Sequence, residues 1–474
     1  MSELCDRPAH ELAALVQRGT VSARELLSVH LERIEAVNPT VNAIVTLVPE
    51  LAMARARELD DALVADGAVG PLHGLPVAHK DLAETAGIRT TFGSPLFADH
   101  VPERDALIVT RMRQAGGVTL GKTNTPEFGA GSHTFNRVFG ATGNPWDTDL
   151  TCGGSSGGAA VALACGMVAL ADGSDTGGSL RNPAAFCNVV GLRPSPGRVP
   201  NTISLAAWSP ISTEGPMGRT VADVALLLSV IAGGDLRAPM SLATPGTDFA
   251  KHLDQDVRGM RVAWSDDLGG LPVDPVITAA LKPARQALED LGCIVMDVFP
   301  DLSEAPEIFQ TLRAWQFELG LGPLYDRAGD ELKETIRWNI EEGRRRSLAD
   351  HADASRRHAE LYRRVVDFMA DIDFLACPVT QVPPFPLHQE WVTEINGVQM
   401  ETYIDWMRAC SDITVTTLPA ISVPGGFTDA GLPVGLQLVG RPRADWSVLG
   451  LAHAFERATG FHHRRPPVLE STVT

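Results

Sequence analysis

Several features that would point to other classes of protein are scarce or missing in this sequence. Lys and Arg number 40 against 58 Asp and Glu, so the formal net charge is -18. A nucleic-acid surface needs a basic patch to neutralise phosphates, so no nucleic-acid partner is expected, and an anionic membrane surface is disfavoured as well. The chain has no run of about 18 apolar residues, and a transmembrane helix is therefore not expected.

The seven cysteines show no pattern typical of a disulfide scaffold or a metal site. They are odd in number, scattered along the chain, and form no CxxC pair, which argues against a disulfide scaffold, a zinc site or a redox motif. The first 20 residues, MSELCDRPAHELAALVQRGT, carry acidic side chains and lack the apolar stretch of a signal peptide. We therefore expect a cytoplasmic protein that has buried thiols and needs neither a metal nor a cofactor.

What is present predicts a globular protein with a large core and alternating elements. Of the 474 residues, 44% are hydrophobic and 21% charged, which are ordinary globular values. Ser22 and Glu25 predict a capping box at the start of a helix. LPVAHKD predicts a short buried strand, ALIVTRMRQAG a helix, and VTLG the next strand. Such alternation indicates an α/β layer architecture.

The composition and the predicted elements change along the chain, but no clean linker separates the parts. We expect one domain over 1–474, made of a helical N-terminal segment (1–70), a catalytic core (71–234), a variable insertion or cap rich in charged helices (235–400), and C-terminal core strands with a helix (401–474). The cap is expected to lie over the core sheet.

One apparent nucleotide motif does not fit its context. GGVTLGKT, from Gly116 to Thr123, matches the P-loop pattern G-x-x-x-x-G-K-T. A true P-loop follows a strand and opens a helix at its Lys-Thr pair. Here the loop interior, VTL, itself resembles a strand, and Pro126 follows without a helical pattern. The sequence therefore predicts a helix end, a strand and a turn, and not a nucleotide site.

Two glycine-serine runs carry the chemistry. GGSSGG (153–158) leads directly into the apolar AAVALACG, which a flexible linker would not do, and GSDTGGSLR (173–181) follows. Acyl transfer needs a nucleophile, a base and an oxyanion site. Ser179 is a candidate nucleophile, and the N–H groups of Thr176, Gly177, Gly178 and Ser179 itself can converge on an oxyanion, because glycine leaves the approach open.

The residues alone leave the base open. None of the 13 histidines lies in a motif that supports a Ser-His-Asp triad, and no GxSxG elbow surrounds Ser155 or Ser179. Lys80 ends an apolar strand, and burial there would lower its pKa toward that of a useful base. Judged on spacing alone, however, a lysine at a strand end is more often a surface charge.

The segment 153–184, GGSSGGAAVALACGMVALADGSDTGGSLRNPA, resembles the signature of the amidase-signature family along its whole length. HGLPVAHKDL is similar to the family's lysine motif, GKTNTPEFGAGSHTFN and GNPWD to its intervening blocks, and GLPVGLQLVGRP to its C-terminal strand. The resemblance covers roughly 10–230 and 410–460. It implies an α/β fold in which a mixed central β-sheet is flanked by helices on both sides, with a helical insertion over the core.

The same resemblance implies residue roles. Ser179 would be the nucleophile, Lys80 the base, and Ser155, which follows a cis peptide in the family, the proton relay between them. Three residues of the two glycine-serine runs would support this trio: Ser156, Asp175 and Arg181.

The substrate is less well defined by the sequence. Six candidate pocket residues lie in or near the matched blocks: Phe128, Gly131, His133, Phe135, Trp406 and Ile413. If they line the site, small amides with apolar or aromatic groups are expected, including aryl amides and carbamates (urethanes). The protein is expected to be a monomer or a homodimer.

Two alternatives remain open. One is the glutamine-hydrolysing subunit of a tRNA-dependent amidotransferase, which would need partner subunits. The other is a non-catalytic binding protein on this scaffold, although the presence of Lys80, Ser155 and Ser179 argues against it.

Overall fold

The structure is a computed structural model that describes residues 3–243, 249–251 and 253–470. The α-helices within these ranges are α1 Ala9–Gln17, α2 Ala23–Val41, α3 Pro49–Ala65, α4 Leu107–Gln114, α5 Gly157–Ala164, α6 Arg181–Cys187, α7 Val221–Ile231, α8 Pro275–Asp290, α9 Ala305–Ala328, α10 Glu334–Arg345, α11 Leu348–Phe368, α12 Arg408–Val415 and α13 Asp445–Thr459. Short 3₁₀ turns are found at Glu3–Asp6, Pro95–Phe97, Glu127–Gly129, Gly329–Glu331, Asp405–Met407, Phe461–His463 and Pro467–Leu469.

The strands of the described residues are β1 Ile44–Leu47, β2 Pro76–Lys80, β3 Val118–Thr123, β4 Phe135–Asn136, β5 Gly140–Ala141, β6 Gly143–Asn144, β7 Asp147–Thr151, β8 Leu170–Asp175, β9 Val190–Arg193, β10 Thr213–Gly218, β11 Arg261–Trp264, β12 Ile294–Met296, β13 Phe374–Pro378, β14 Glu394–Ile395, β15 Val398–Gln399, β16 Ala420–Phe427 and β17 Pro433–Gly440. Within the described part of the chain, eleven of them form one sheet in the order β1-β3-β2-β8-β10-β9-β16-β17-β13-β11-β12.

The central sheet is mixed, as the resemblance implies. Strand β2 is parallel to both β3 and β8, whereas β10 is antiparallel to β8. Along β2, Val77 packs into one hydrophobic cluster and Ala78 into a second, and along β8 Leu170 and Ala171 divide in the same way. Because successive side chains of a strand point to opposite faces, the two clusters are the helix-covered faces of the sheet.

Local expectations for the N-terminal half are confirmed. The side chain of Ser22 accepts a hydrogen bond from the N–H of Glu25 and the Glu25 carboxylate accepts one from the N–H of Ser22, which is a complete capping box. GGVTLGKT contributes the buried strand β3, and no α-helix opens at Lys122. The Lys122 ammonium instead donates to Thr85 Oγ1 at 2.7 Å and to the Ala83 carbonyl, so it is a buried structural lysine.

The interpretation of 235–400 as a cap needs a correction. Strands β11, β12 and β13 lie in this range and form one end of the main sheet, and β13 pairs with the C-terminal strand β17. Helices α9 to α11 of this range pack on one another, with α9 also against α12, whereas α8 packs on strands β16 and β17. The three strands are only three to five residues long, which is too short for a clear periodic signal beside long charged helices.

Two further properties bear on the class of protein. In the described ranges no helix combines the length and apolar character needed to cross a bilayer, and no group of three or more His, Cys, Asp or Glu is arranged to hold a metal ion. The seven cysteines all lie in these ranges and are buried free thiols.

Candidate active site

The predicted trio meets at one edge of the sheet. Lys80 is the last residue of β2, and the parallel neighbour β8 ends at Asp175, just before the loop that carries Ser179. Carboxyl ends of parallel strands meet at the same sheet edge. Ser155 lies in the turn that opens α5, and the N–H of Ser156 donates to the Ser179 carbonyl at 3.1 Å. The two glycine-serine runs are therefore joined to each other.

The Lys80 amine is buried among hydroxyl groups. Its Nζ lies 2.6 Å from Ser155 Oγ, 3.0 Å from Ser156 Oγ and 3.1 Å from Ser174 Oγ, and the residue is 1% exposed. Burial lowers the pKa of Lys80 to about 7, while the carboxylates of Asp175 and Asp172 act in the opposite direction. Because desolvation disfavours the charged form, a neutral amine that can accept a proton is available near neutral pH.

The glycines of the GGSSGG run allow a close approach of backbone segments. The Gly154–Ser155 peptide bond is cis, as the resemblance implies. A Cβ on Gly154 would lie 2.9 Å from Thr134 Oγ1, and one on Gly157 would lie 2.3 Å from the same atom. Thr134 Oγ1 also donates to the Gly153 carbonyl at 2.8 Å. The loop that presents Ser155 is thus pressed against the 131–134 segment, where a side chain at either glycine would not fit.

The oxyanion prediction needs a correction at Gly178. The Asp175 carboxylate accepts the N–H of Gly178 at 2.9 Å and that of Leu180 at 3.1 Å. A carboxylate placed at this turn competes for the N–H, so the Gly178 donor is already used. Gly178 keeps a different role, since its φ is 110° and a Cβ there would lie 2.4 Å from the Cβ of Cys410. The N–H groups of Thr176, Gly177 and Ser179 remain as candidate donors.

Asp175 and Arg181 form a buried two-pronged ion pair below this loop. Arg181 donates from Nη2 to Asp175 Oδ1 at 2.8 Å and from Nε to Oδ2 at 3.0 Å, which holds the pKa of the carboxyl well below its usual range despite its burial. Arg181 also donates to Gln437 Oε1 and to Thr414 Oγ1. A second guanidinium, Arg193, donates to the Asp175 carbonyl at 2.6 Å and was not predicted from sequence.

Sequence reasoning also missed two polar residues of β8. Ser174 is the third hydroxyl at the Lys80 amine, and the Asp172 carboxylate accepts the Lys80 N–H at 2.9 Å and lies 2.5 Å from His79 Nδ1. Their spacing in LADGSD was the available signal, because residues two apart on a strand face the same side.

The six predicted pocket residues do not form one pocket. Ile413 is fully buried in the main hydrophobic cluster, so the structure places it in the core, and its role in a pocket stays a prediction. Phe128 packs beside Leu332 and Ile336. The remaining four lie around Lys333: Gly131, His133 and Trp406 line a cavity of about 10 Å³ with it, and its Nζ is 4.2 Å from the centre of the Phe135 ring.

A larger cavity at the site is lined by residues other than the six that were predicted. It holds about 300 Å³ beside Lys80, Asp172, Ser174 and Thr176, and the loop 196–209 covers it. That loop carries no motif, so composition and periodicity did not single it out.

The chain is similar to known proteins over nearly its whole length. The Amidase family model matches residues 25–449. An acylamidase of Rhodococcus erythropolis is 37% identical over 97% of this chain and 96% of its own length, and a glutamyl-tRNA(Gln) amidotransferase subunit of Carboxydothermus hydrogenoformans is 34% identical over 98% of this chain and 99% of its own. A solved bacterial aryl acylamidase of the amidase-signature enzymes superposes with a TM-score of 0.89 at 28% identity, covering 97% of this chain and 99% of that one.

Proposed function

This chain belongs to the Amidase family, and from that premise we propose that it hydrolyses small amides through an acyl-enzyme on Ser179, with Ser155 as relay and Lys80 as base. The observation that carries the proposal is that the buried Lys80 amine lies 2.6 Å from Ser155 Oγ. The residue after Ser155, Ser156, donates its N–H to the Ser179 carbonyl, which links the loop of Ser155 to that of Ser179.

The first half of the reaction forms the acyl-enzyme. Neutral Lys80 takes the proton of the Ser155 hydroxyl as Ser155 takes that of Ser179, and Ser179 Oγ bonds to the amide carbon. The carbonyl π electrons move to the oxygen, which the N–H groups of Thr176, Gly177 and Ser179 stabilise. Losing one such donor typically lowers the rate by about 100- to 1,000-fold.

The second half returns the proton and the enzyme. As the C–N bond breaks, the leaving nitrogen takes a proton from Ser155, which is resupplied by the Lys80 ammonium. A water molecule then attacks the acyl carbon, gives its proton to the same relay, and releases the acid and a free Ser179 hydroxyl. The Asp175–Arg181 pair acts indirectly, by holding the loop that presents the oxyanion donors.

The substrate class proposed is that of small carboxamides with an aryl amine, and of urethanes built on aromatic amines. Support comes from the apolar walls of the cavity beside Lys80 and from the acylamidase and aryl acylamidase names of two relatives. For such substrates we propose a cytoplasmic monomer or homodimer with all of 1–474 in one catalytic unit.

Activity of the purified chain on p-nitroacetanilide, phenylurethanes and glutamine tests this function. We expect Ser179→Ala to abolish release of p-nitroaniline, and Lys80→Ala to lose most of it while keeping the wild-type circular dichroism spectrum. Ser229→Ala, whose hydroxyl donates only within helix α7 to the Ala225 carbonyl in the structure, is the matched control and should keep its activity. Near-wild-type turnover by Lys80→Ala would show that the base is misassigned.

A second function is favoured by one observation, the match to glutamyl-tRNA(Gln) amidotransferase subunits over nearly the whole of both chains. In that case the chain would release ammonia from glutamine and depend on partner subunits. Strict preference for glutamine in the substrate panel, with activity appearing only on addition of partner subunits, would replace the first proposal with this one.

A further inference from the structure

Glu214 lines the same cavity as Lys80, and no step of the proposed mechanism uses it. Strand β10 pairs with β8 so that Glu214 is directly opposite Ser174. Residues directly opposite in an antiparallel pair have side chains on the same face of the sheet. Since the Ser174 hydroxyl is 3.1 Å from Lys80 Nζ, three neighbouring strands present Lys80, Ser174 and Glu214 to the same cavity.

This cavity has apolar walls and an acidic floor. Leu82, Ile108, Val199, Ile203 and Met240 contribute to the walls. Among the lining residues, all of which the structure describes, Lys80 alone has a basic side chain, whereas Asp172 and Glu214 are acidic. A cavity of this kind accepts an apolar body and gives an electrostatic preference to a cationic or hydrogen-donating end.

The carboxyl groups of Asp172 and Glu214 differ in the hydrogen bonds that they already make. Asp172 already accepts the Lys80 N–H and contacts His79. Glu214 accepts one hydrogen bond in the structure, from Asn201 Nδ2 to Oε1 at 2.9 Å. Burial, with a contribution from the Asp172 carboxylate, raises the pKa of Glu214 to about 8. A cation placed beside it would favour its ionised form, because an opposite charge stabilises the carboxylate.

The position of the cavity indicates which half of the substrate it takes. Its lining includes Lys80 and Thr176 and does not include Ser179. In the proposed mechanism the leaving nitrogen takes its proton from Ser155, which the Lys80 ammonium resupplies, whereas the acyl group stays on Ser179. Because Lys80 supplies this relay and the cavity adjoins Lys80 but not Ser179, we assign the cavity to the amine half.

We propose that this cavity is the amine-side pocket and that Glu214 selects leaving groups carrying a second, positively charged or hydrogen-donating nitrogen. The inference rests on the proposed amidase function and names the class of amine it prefers. The bonds made and broken are those of the mechanism above, and Glu214 acts on binding and not on the reacting atoms.

Two anilides of equal size test the selection: N-[4-(aminomethyl)phenyl]acetamide, which carries an ammonium group, and N-(4-ethylphenyl)acetamide, which does not. We expect kcat/KM of the wild type to favour the ammonium substrate by about tenfold or more, in line with a hydrogen bond to a charged group. In Glu214→Gln the ratio should fall to about one, chiefly through loss on the ammonium substrate. The control Glu103→Gln removes an exposed carboxylate and should keep the wild-type ratio.

Product inhibition provides a measurement that needs no variant. 4-(Aminomethyl)aniline should inhibit the wild type about tenfold more strongly than 4-ethylaniline, again on the strength of one charged hydrogen bond. Equal turnover of both anilides, equal inhibition by both amines, or an unchanged ratio in Glu214→Gln would each overturn the selection while leaving the amidase function standing. Failure of the wild type to cleave either anilide or p-nitroacetanilide would contradict the proposed function itself.

Discussion

At the scale of single residues, the site depends on keeping one lysine uncharged. Lys80 is surrounded by three serine hydroxyls and lies deep enough for desolvation to outweigh the pull of the Asp172 and Asp175 carboxylates. A cluster of hydroxyl groups can hydrogen-bond to a neutral amine, whereas a salt bridge would hold the amine in its charged form. In the proposed mechanism this gives Lys80 a pKa suited to a base at neutral pH.

The pH dependence of kcat/KM for p-nitroacetanilide follows from this burial. The proposed mechanism needs the neutral amine of Lys80, whose pKa is lowered from 10.5 to about 7. We expect kcat/KM to rise about tenfold per pH unit below 7 and to level off above it. A rise that continues to pH 10 would mean that Lys80 is solvated or is not the base.

The sequence predicts some members of the trio Lys80, Ser155 and Ser179 better than others. The Gly177-Gly178-Ser179 run indicates a nucleophile from chemistry alone. Lys80 needed the family resemblance, because neither burial nor the three hydroxyl partners can be deduced from one lysine at a strand end. The Asp175 hydrogen bond that uses the Gly178 N–H was unpredictable for the same reason.

At the scale of secondary-structure elements, helix α5 is the feature that places Ser155 and Ser156. All eight of its residues are buried, and it contacts strands β1, β2, β3, β8 and β10 and helix α6. Its glycines set the closest approach: a Cβ on Gly158 would lie 2.3 Å from the Asn124 N and 2.6 Å from the Ala43 carbonyl oxygen. These contacts are backbone atoms, which cannot rotate away.

Gly158→Ala is therefore expected to destabilise the protein by about 1–3 kcal/mol or more, as overpacking does, and to reduce activity by displacing Ser155. Gly320→Ala is the matched control, because Gly320 is an exposed residue of helix α9 with no atom within 4 Å of the added Cβ. It should raise stability by about 0.5–1 kcal/mol. Urea unfolding measures both; equal effects of the two substitutions would contradict the close packing of α5.

The elements that the sequence predicted well are those with strong local signals. The capping box of Ser22 and Glu25, the apolar run of β2 and the helix predicted for ALIVTRMRQAG, which is α4, all form as expected. The strands β11 to β13 were missed because their pairing partners are far away in sequence, and pairing, more than local propensity, makes short strands.

At the scale of the whole molecule, Arg181 joins distant parts of the chain to the loop that carries Ser179. Its guanidinium pairs with Asp175, donates to Gln437 of β17, and donates to Thr414 of α12. The loop before α6 is thereby fixed to the C-terminal core strands. This connection ties a site built from residues 80–181 to the C-terminal strand β17 and to helix α12.

Removing this connection should be costly. Arg181→Met leaves the Asp175 carboxylate buried without its main partner, and breaking a buried pair typically costs about 3–5 kcal/mol. Arg258→Met, which breaks an exposed pair with Asp256, should not change the free energy of unfolding measurably. If urea unfolding gives the same midpoint for both variants, the Asp175–Arg181 pair does not hold the loop as described.

The identity of the nucleophile is tested most directly by covalent labelling. A fluorophosphonate probe reacts with an activated serine, so intact mass and peptide mapping identify the residue. We expect one probe per chain on Ser179 in the wild type, slow labelling of the same residue in Lys80→Ala, and none in Ser179→Ala. Labelling at Ser155 or Ser156, or an unlabelled protein that still hydrolyses p-nitroacetanilide, would contradict the account.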